Sequence, residues 1–151
     1  MRQGLLPLDA IPAAAFRVPV KIRFGHCDPA GIVYFPRYLD IINGVIEDFF
    51  TEGLGCEYRE IIRDRGIGLG PAHIETDFQL PGFQGDTIDF AVLVDRVGNS
   101  SLALSVHAHR GDEPVLRARL ILVTTSLEFH RSVPIPGDVR EALQAYEDRC
   151  R

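Results

Sequence analysis

The residues best suited to chemistry lie in the stretch VKIRFGHCDPAGIVYFPRY, which runs from Val20 to Tyr38. Its carboxylate, Asp28, stands in an Asp-Pro-Ala-Gly turn, and Pro36 follows shortly afterwards. Pro36 predicts a helix start, because the N–H that proline lacks would have no partner in the first helical turn. The free amides of a helix N-terminus attract negative charge. A carboxylate in a constrained loop just before such a terminus is suited to attack on a carbonyl carbon.

Other residues could also carry chemistry, and each has an ordinary alternative. Asp28 before a proline is also a common turn residue, because its side chain accepts hydrogen bonds from nearby backbone N–H groups. His26 can equally be a strand-end histidine, and Cys27 a small core residue. His107 and His109 fall on one face of a predicted strand and could begin a metal site. No third ligand is evident in the sequence, so we predict no metal.

A strand and a helix flank the Asp28 loop. Apolar residues at every second position predict the strand: Val18, Val20, Ile22 and Phe24. A broad apolar stripe of helical period predicts a largely buried helix from Pro36 to about Glu52, which ends near Gly53. The members of this stripe are Tyr38, Ile41, Ile42, Val45, Ile46 and Phe49.

The rest of the chain is dominated by alternating segments. A short helix is predicted from Glu57 to about Arg65, and the glycine cluster of residues 66–71 predicts a loop. Period-two patterns predict strands at about 72–80, 88–94, 102–108 and 115–127, and a short helix follows at about 138–146. A long apolar helix followed by four such strands implies an antiparallel sheet that covers the helix. We therefore predict an α+β domain in which about five strands curl around a central helix.

Length and composition set the class of protein. The 151 residues predict one domain at 17–151 after an extended or mobile lead-in at 1–16. Apolar residues make up 46% and charged residues 25%, as in average soluble proteins. The net charge of -5 argues against a nucleic-acid-binding surface. No apolar run approaches the ~18 residues of a membrane span. Three cysteines without metal-type spacing favour the cytoplasm.

The motif G-x-C-D-P-A-G-I-V-Y-F-P-x-Y, from Gly25 to Tyr38, lies between the predicted strand and the long helix. It resembles the hotdog-fold acyl-CoA thioesterases of the 4-hydroxybenzoyl-CoA thioesterase family. The run GDTIDFAVLVDRVGNSSLALSV from Gly85 is similar to a later pattern of that family. The similarity covers roughly residues 18–136, and it implies the hotdog fold, a sheet wrapped around a central helix.

The resemblance also implies roles for individual residues. Asp28 matches the family's catalytic carboxylate, which acts either as nucleophile or as general base for water. The backbone N–H of Phe35 matches the oxyanion donor at the start of the central helix. His26 stands where some members carry a second aspartate, and we assign it an auxiliary role. Glu47 is the rival carboxylate, since another hotdog subclass uses a glutamate on the central helix.

Four further residues are predicted to bind substrate. Tyr34 and Tyr38 could line an acyl pocket beside the helix start. Some family members grip the phosphates of CoA with a basic cluster in the turn between the third and fourth strands. Here that turn contains Ser100 and has only Arg96 nearby as a basic residue.

The predicted function is hydrolysis of a small aromatic, 4-hydroxybenzoyl-like, or short-chain acyl-CoA to free acid and CoA. No cofactor is expected, because CoA is part of the substrate. A non-catalytic acyl-thioester binding module and a thioesterase for acyl carrier protein stay open as alternatives. A third alternative is hydration or dehydration of an acyl thioester. That chemistry usually requires an Asp/His pair on a differently spaced motif, which we do not find in this sequence. By resemblance we expect a homodimer or homotetramer, with neither nucleic acid nor membrane as a partner.

Overall fold

The computed structural model describes residues 4–151 and shows one antiparallel sheet with strand order β1-β3-β4-β5-β2. The strands are β1 (Phe16–Lys21), β2 (Ile67–Phe78), β3 (Thr87–Val97), β4 (Ser101–Arg110) and β5 (Glu113–Ser126). The helices are α1 (Phe35–Asp48), which continues as a π-helical turn (Phe49–Gly53), and α2 (Gly137–Arg149). Short helical turns span Leu8–Ala10, Phe24–His26 and Glu60–Asp64. The predicted α+β fold, with five antiparallel strands around a long helix, is confirmed.

The core lies between α1 and the inner face of the sheet. Four α1 residues of the predicted apolar stripe are at most 4% exposed: Tyr38, Ile42, Val45 and Ile46. The facing strand residues are equally buried: Ile88, Phe90, Val92, Leu104, Val106, Ala118 and Leu120. Removal of this apolar surface from water is the main force that holds the helix in the sheet.

A glycine sets how closely the end of α1 approaches the first strand. A Cβ on Gly53 would lie 3.0 Å from the Phe49 ring and 3.1 Å from the Phe16 ring. These two rings have centroids 6.1 Å apart, so Gly53 lets β1 pack directly on the end of the helix. Sequence periodicity marks this glycine only as a helix stop.

The prediction of a loop over residues 66–71 is wrong from Ile67 onward, because β2 begins there. Gly68 pairs with Thr125 of β5, and Pro71 pairs with Leu122. A Cβ on Gly68 would lie 2.9 Å from side chains of Leu127 and Thr125, so close packing requires this glycine. Pro71 is tolerated because β2 is an edge strand.

The outer face of the sheet is covered in part by the N-terminal segment. Gly4 lies against the Arg117 side chain, where a Cβ would be 2.9 Å from Nη1. The carbonyl of Leu6 is 2.8 Å from Nε2 of His109. Ile11 and Ala15 are buried on the outer side of β3 beside Ala91. Residues 1–3 of the predicted lead-in lie outside the described residues, and the domain boundary at residue 16 stays a prediction.

This cover explains the two histidines of β4. His107 and His109 are 3% and 2% exposed, and the ring of His107 is 3.2 Å from the Ser105 hydroxyl. Burial, with smaller contributions from Arg117 and His109, lowers the pKa of His107 to about 4. Within residues 4–151 no cluster of His, Cys, Asp and Glu could hold a metal ion. No helix in the same range is long and apolar enough to cross a membrane.

Helix α2 is joined to the sheet by a buried hydroxyl. Tyr146 Oη accepts a hydrogen bond from the Phe16 N–H (2.8 Å) and donates one to the Val92 carbonyl (2.5 Å). Its ring packs edge-on against Phe49, with centroids 5.0 Å apart. Burial raises the pKa of Tyr146 above its ordinary value, so the hydroxyl keeps its proton and stays a donor.

Replacement of Tyr146 by phenylalanine should lower the free energy of unfolding by about 1–3 kcal/mol, because two buried backbone groups lose their partner. Urea unfolding followed by circular dichroism measures this loss. Tyr34→Phe is the matched control, since the Tyr34 side chain is half exposed and should tolerate the change. Equal stability of the Tyr146→Phe and Tyr34→Phe variants would contradict the assigned bridge.

Candidate active site

Asp28 lies at the tip of a short hairpin between β1 and α1. Cys27 and Val33 form an antiparallel bridge, and the Asp28 N–H donates to the Ile32 carbonyl at 3.0 Å. The Gly31 N–H closes the turn by donating to the Asp28 carbonyl at 2.9 Å, with φ of 80° at Gly31. Glycine adopts such a left-handed conformation without steric cost. Backbone bonds therefore fix the position of Asp28 in the hairpin.

Only one oxygen of the Asp28 carboxylate takes part in the hydrogen bonds of the turn. Oδ1 accepts a hydrogen bond from the Ala30 N–H at 2.8 Å. Among the described residues, Oδ2 has no hydrogen-bond partner. The side chain lines a cavity whose walls are Phe24, Cys27, Asp28, Pro29, Gly31 and Gln84. Asp28 is thus both a turn residue and a carboxylate with one oxygen available for chemistry.

Helix α1 begins directly after the hairpin. The Tyr34 N–H donates to the His26 carbonyl at 2.9 Å, which joins the hairpin to the helix start. Tyr34 is the N-cap but gives no side-chain cap, and Pro36 occupies the first turn. The Arg37 N–H of that turn donates to the Tyr34 carbonyl at 2.7 Å, whereas the Phe35 N–H has no acceptor among the described residues. It can therefore donate to an external oxygen, and the helix dipole favours negative charge there.

A distant segment, the turn of residues 81–86, supports the hairpin from the side. The Val33 N–H donates to the Gly82 carbonyl at 2.9 Å, and Ile32 forms an antiparallel bridge with Phe83. The Ile22 N–H, at the end of β1, donates to the Asp86 carbonyl at 2.7 Å. The 81–86 turn thus connects the strand before the hairpin with the strand-like segment after it.

Arg110 at the end of β4 holds this turn in shape. Its guanidinium donates to the Pro81 carbonyl (3.1 Å) and to Asp86 Oδ2 (2.9 Å), which also accepts from the Phe83 N–H. Hydrogen bonds to Asp86 and Glu113 raise the pKa of Arg110 above its ordinary value. The guanidinium therefore stays charged.

Tyr38 lies beneath the 81–86 turn rather than on the cavity surface. It is 3% exposed, and its hydroxyl lies beside the Gly82 backbone, which opposes the rise of its pKa but forms no hydrogen bond of normal geometry with it. Burial raises the pKa of Tyr38 to about 12. Direct contact of Tyr38 with a substrate would require the Gly82 segment to move. Tyr34, in contrast, is 50% exposed beside the helix start.

His26 and Asp28 line different depressions. His26 Nδ1 accepts a hydrogen bond from the Arg23 N–H at 2.9 Å. The His26 side chain borders a groove between β1 and α1 that also contains Asp40 and Asp48. Its auxiliary role stays a prediction, and this geometry does not place it on the wall of the Asp28 cavity.

The remaining candidates are distant from Asp28 within one chain. Arg96 lies nine residues along β3 from Thr87, or about 30 Å at the rise of a strand. Ser100 follows in the β3–β4 turn, where its carbonyl accepts from the Thr124 N–H at 2.9 Å. Glu47 is exposed on α1, about 18 Å along the helix from Phe35. A role for Arg96 or Ser100 at the Asp28 site would require a second copy of the chain.

Sequence reasoning missed Gln84 and Arg110. The pattern Pro81-Gly82 and Gly85-Asp86 marks a bend in the sequence. Nothing in that pattern reveals that the bend lies beside a hairpin about fifty residues earlier, because antiparallel pairing of distant segments leaves no local trace. The glycines of the bend and of the hairpin were the available sign in the sequence that both segments are turns.

The chain also matches known proteins. The family model described as the thioesterase-like superfamily matches residues 22–143. The chain is 30% identical to the 1,4-dihydroxy-2-naphthoyl-CoA hydrolase of Synechococcus elongatus over 84% of this chain and 93% of that protein. It is 34% identical to the 4-hydroxybenzoyl-CoA thioesterase of a Pseudomonas species, over 36% of this chain and 39% of that protein. The solved structure of a gentisyl-coenzyme A thioesterase superposes with a TM-score of 0.78 at 25% identity, covering 85% of this chain and 99% of the other.

Replacement of Gly82 by alanine should destabilise the fold by about 1–3 kcal/mol, because the new Cβ would overlap the Tyr38 hydroxyl oxygen. The double variant Gly82→Ala/Tyr38→Phe should recover part of this loss. Tyr38→Phe alone should not lower stability, since it removes an unpartnered buried hydroxyl. Thermal unfolding of the three variants measures these effects. A Gly82→Ala variant as stable as wild type would contradict the assigned packing.

Proposed function

Since this chain belongs to the thioesterase-like superfamily, we propose that it hydrolyses an acyl-CoA thioester to a free acid and CoA. The family predicted from the Asp-Pro-Ala-Gly motif is confirmed by the family model and the relatives. One observation carries the proposal: Asp28 presents an unpartnered carboxylate oxygen in a cavity just before the N-terminus of α1. A thioester carbonyl needs these two partners, a carboxylate and an amide donor.

The proposed chemistry follows from this arrangement. The thioester carbonyl oxygen accepts a hydrogen bond from the Phe35 N–H, and the helix N-terminus stabilises the negative charge that develops there. Asp28 then either attacks the carbonyl carbon or removes a proton from an attacking water. In the first route a mixed anhydride forms and water later hydrolyses it. In both routes the carbon–sulfur bond breaks, and the CoA thiolate leaves and takes up a proton.

We place the acyl group in an apolar cleft along α1. Leu39, Ile42 and Ile46 line one wall, and they continue the helical stripe that starts at Phe35. Leu69 and Leu120 stand on the opposite wall, in β2 and β5. The side chains of Asn43 and Tyr58 also border this cleft and could meet ring hydroxyls.

Two observations, the names of similar proteins and the aromatic side chains around the hairpin, favour an aromatic acyl group. Three relatives or neighbours carry names of aromatic acyl-CoA substrates, namely dihydroxynaphthoyl, hydroxybenzoyl and gentisyl. Aromatic side chains are unusually exposed around the hairpin: Phe24 at 80%, Tyr34 at 50%, Phe35 at 64% and Phe83 at 45%. We therefore propose a hydroxylated aromatic acyl-CoA as the substrate class.

We further propose that two copies pair through β2. This edge strand has no second strand partner within the described chain, and Ile74 on it is 39% exposed. Antiparallel pairing around a two-fold axis would set the Ile67 end of one β2 beside the Phe78 end of the other. The far end of the partner's sheet, which carries Arg96 and Ser100, would then approach the Asp28 end of this chain.

Replacement of Asp28 by asparagine should lower kcat by at least ~10²-fold, because a general base or nucleophile is lost. Asparagine keeps an oxygen that can accept from the Ala30 N–H, so the turn should survive. Release of CoA thiol measures turnover on 1,4-dihydroxy-2-naphthoyl-CoA, 4-hydroxybenzoyl-CoA and a short aliphatic acyl-CoA.

Glu47→Gln is the matched control, because it removes the rival carboxylate on α1 and should retain activity. If the Asp28→Asn variant turns over substrate as fast as the wild type, Asp28 is not the catalytic carboxylate. Binding of acyl-CoA without turnover would favour the binding module. Turnover only of an acyl group on carrier protein would replace CoA as the proposed carrier.

Light scattering at micromolar concentration should show a dimer or a larger assembly. Ile74→Asp should shift the assembly toward monomer, because it places a charge on the strand proposed to pair. It should also lower kcat/KM, but Ile74 borders the proposed acyl cleft as well, so the oligomeric state is the deciding quantity. Gln144→Asp adds the same charge on exposed α2 and should change neither quantity. A fully active monomeric wild type would refute the pairing.

A further inference from the structure

Gln84 lines the same cavity as Asp28. The motif around Asp28 lies far away from it in sequence. Gly82 accepts from Val33, and Phe83 bridges to Ile32. The next step of this antiparallel register sets Gln84 opposite Gly31.

Gly31, which also lines this cavity, leaves open space in it. No atom lies within 4 Å of the position that a Gly31 Cβ would occupy. The Gly31 N–H is bonded to the Asp28 carbonyl at 2.9 Å, so this open space adjoins the carboxylate-bearing residue. The cavity that Asp28 and Gln84 both line therefore has open space beside Gly31 for a water molecule or a substrate atom.

The backbone that carries Gln84 is fixed on both sides. Gly85 adopts φ of 90°, which glycine favours, and its N–H donates to the Ile22 carbonyl at 2.8 Å. On the other side, Asp86 Oδ2 accepts from the Phe83 N–H at 2.9 Å and from Arg110 at 2.9 Å. Gln84 thus projects from an anchored turn, although the residue itself is exposed.

We propose that Gln84 is a further catalytic residue that holds the attacking water in the thioesterase reaction. The inference rests on the proposed function and uses its general-base route. The Gln84 side-chain oxygen accepts one O–H of the water, and Asp28 Oδ2 accepts the other. Asp28 takes that second proton as the water oxygen bonds to the acyl carbon. The carbon–sulfur bond then breaks, and the CoA thiolate leaves and is protonated.

Gln84→Met tests this role, because it keeps the length of the side chain and removes the amide. We expect kcat to fall about 10-fold or more, with KM for the best substrate unchanged. Without the amide, the water is less often positioned for attack on the acyl carbon. Gln144→Met, on exposed α2, is the matched control. Equal unfolding midpoints would show that the Gln84 variant is folded.

Gln84→Glu tests whether residue 84 is close enough to the Asp28 carboxylate to act with it. A second carboxylate in the cavity disfavours ionisation of the first, so the acid limb of the kcat/KM profile should move to higher pH. Gln144→Glu adds the same charge at a distance and should leave the profile in place.

The outcomes separate the two proposals. If wild type is active, Asp28→Asn is inactive and both Gln84 variants behave as their Gln144 controls, the Gln84 role is overturned and the thioesterase assignment stands. If wild type hydrolyses no thioester, both are overturned. A loss of kcat together with the pH shift supports Gln84 as the residue that holds the water.

Discussion

The structure depends on burial of the apolar face of α1 inside a sheet that curls around it. This burial removes the helix interior from water and fixes the helix axis against β3, β4 and β5. Since β1 and α1 pack on the same core, the chain between them has only a short hairpin in which to reverse direction. The N-terminus of α1 is therefore joined to the base of that hairpin, where the Tyr34 N–H donates to the His26 carbonyl. The hydrophobic core thus determines how far the Asp28 carboxylate lies from the Phe35 amide.

Backbone groups, more than side chains, carry the precision of the site. The hairpin is closed by amide–carbonyl bonds, its turn needs the positive φ of Gly31, and Gly82 accepts from Val33 where a side chain would not fit. The proposed oxyanion donor is itself a backbone N–H. The geometry of such a site depends on the path of the main chain and on the glycines that allow it.

The sequence alone predicts much of the fold and, for the candidate site, the Asp28 turn and the helix that follows it. Helical and alternating periods are local, so α1 and most of the strands follow from them. The start of β2 was missed because Gly68 serves close packing against Leu127, and in sequence such a glycine resembles a loop residue. Gln84 and Arg110 were missed because they reach the hairpin through pairing of distant segments. Tyr38, on the motif itself, faces the core, since its helical position and not its chemistry decides where it points.

The free edge of β2 gives a physical reason why one chain need not hold the whole site. Asp28 and the start of α1 occupy one end of the sheet, and Arg96 and Ser100 occupy the other. No motion within a packed sheet of this length can bring those ends together. Antiparallel pairing of two identical edges reverses the direction of the second sheet, so it sets unlike ends side by side without distorting either chain. A substrate as long as acyl-CoA could then lie across the boundary, with its thioester at one chain and its nucleotide at the other.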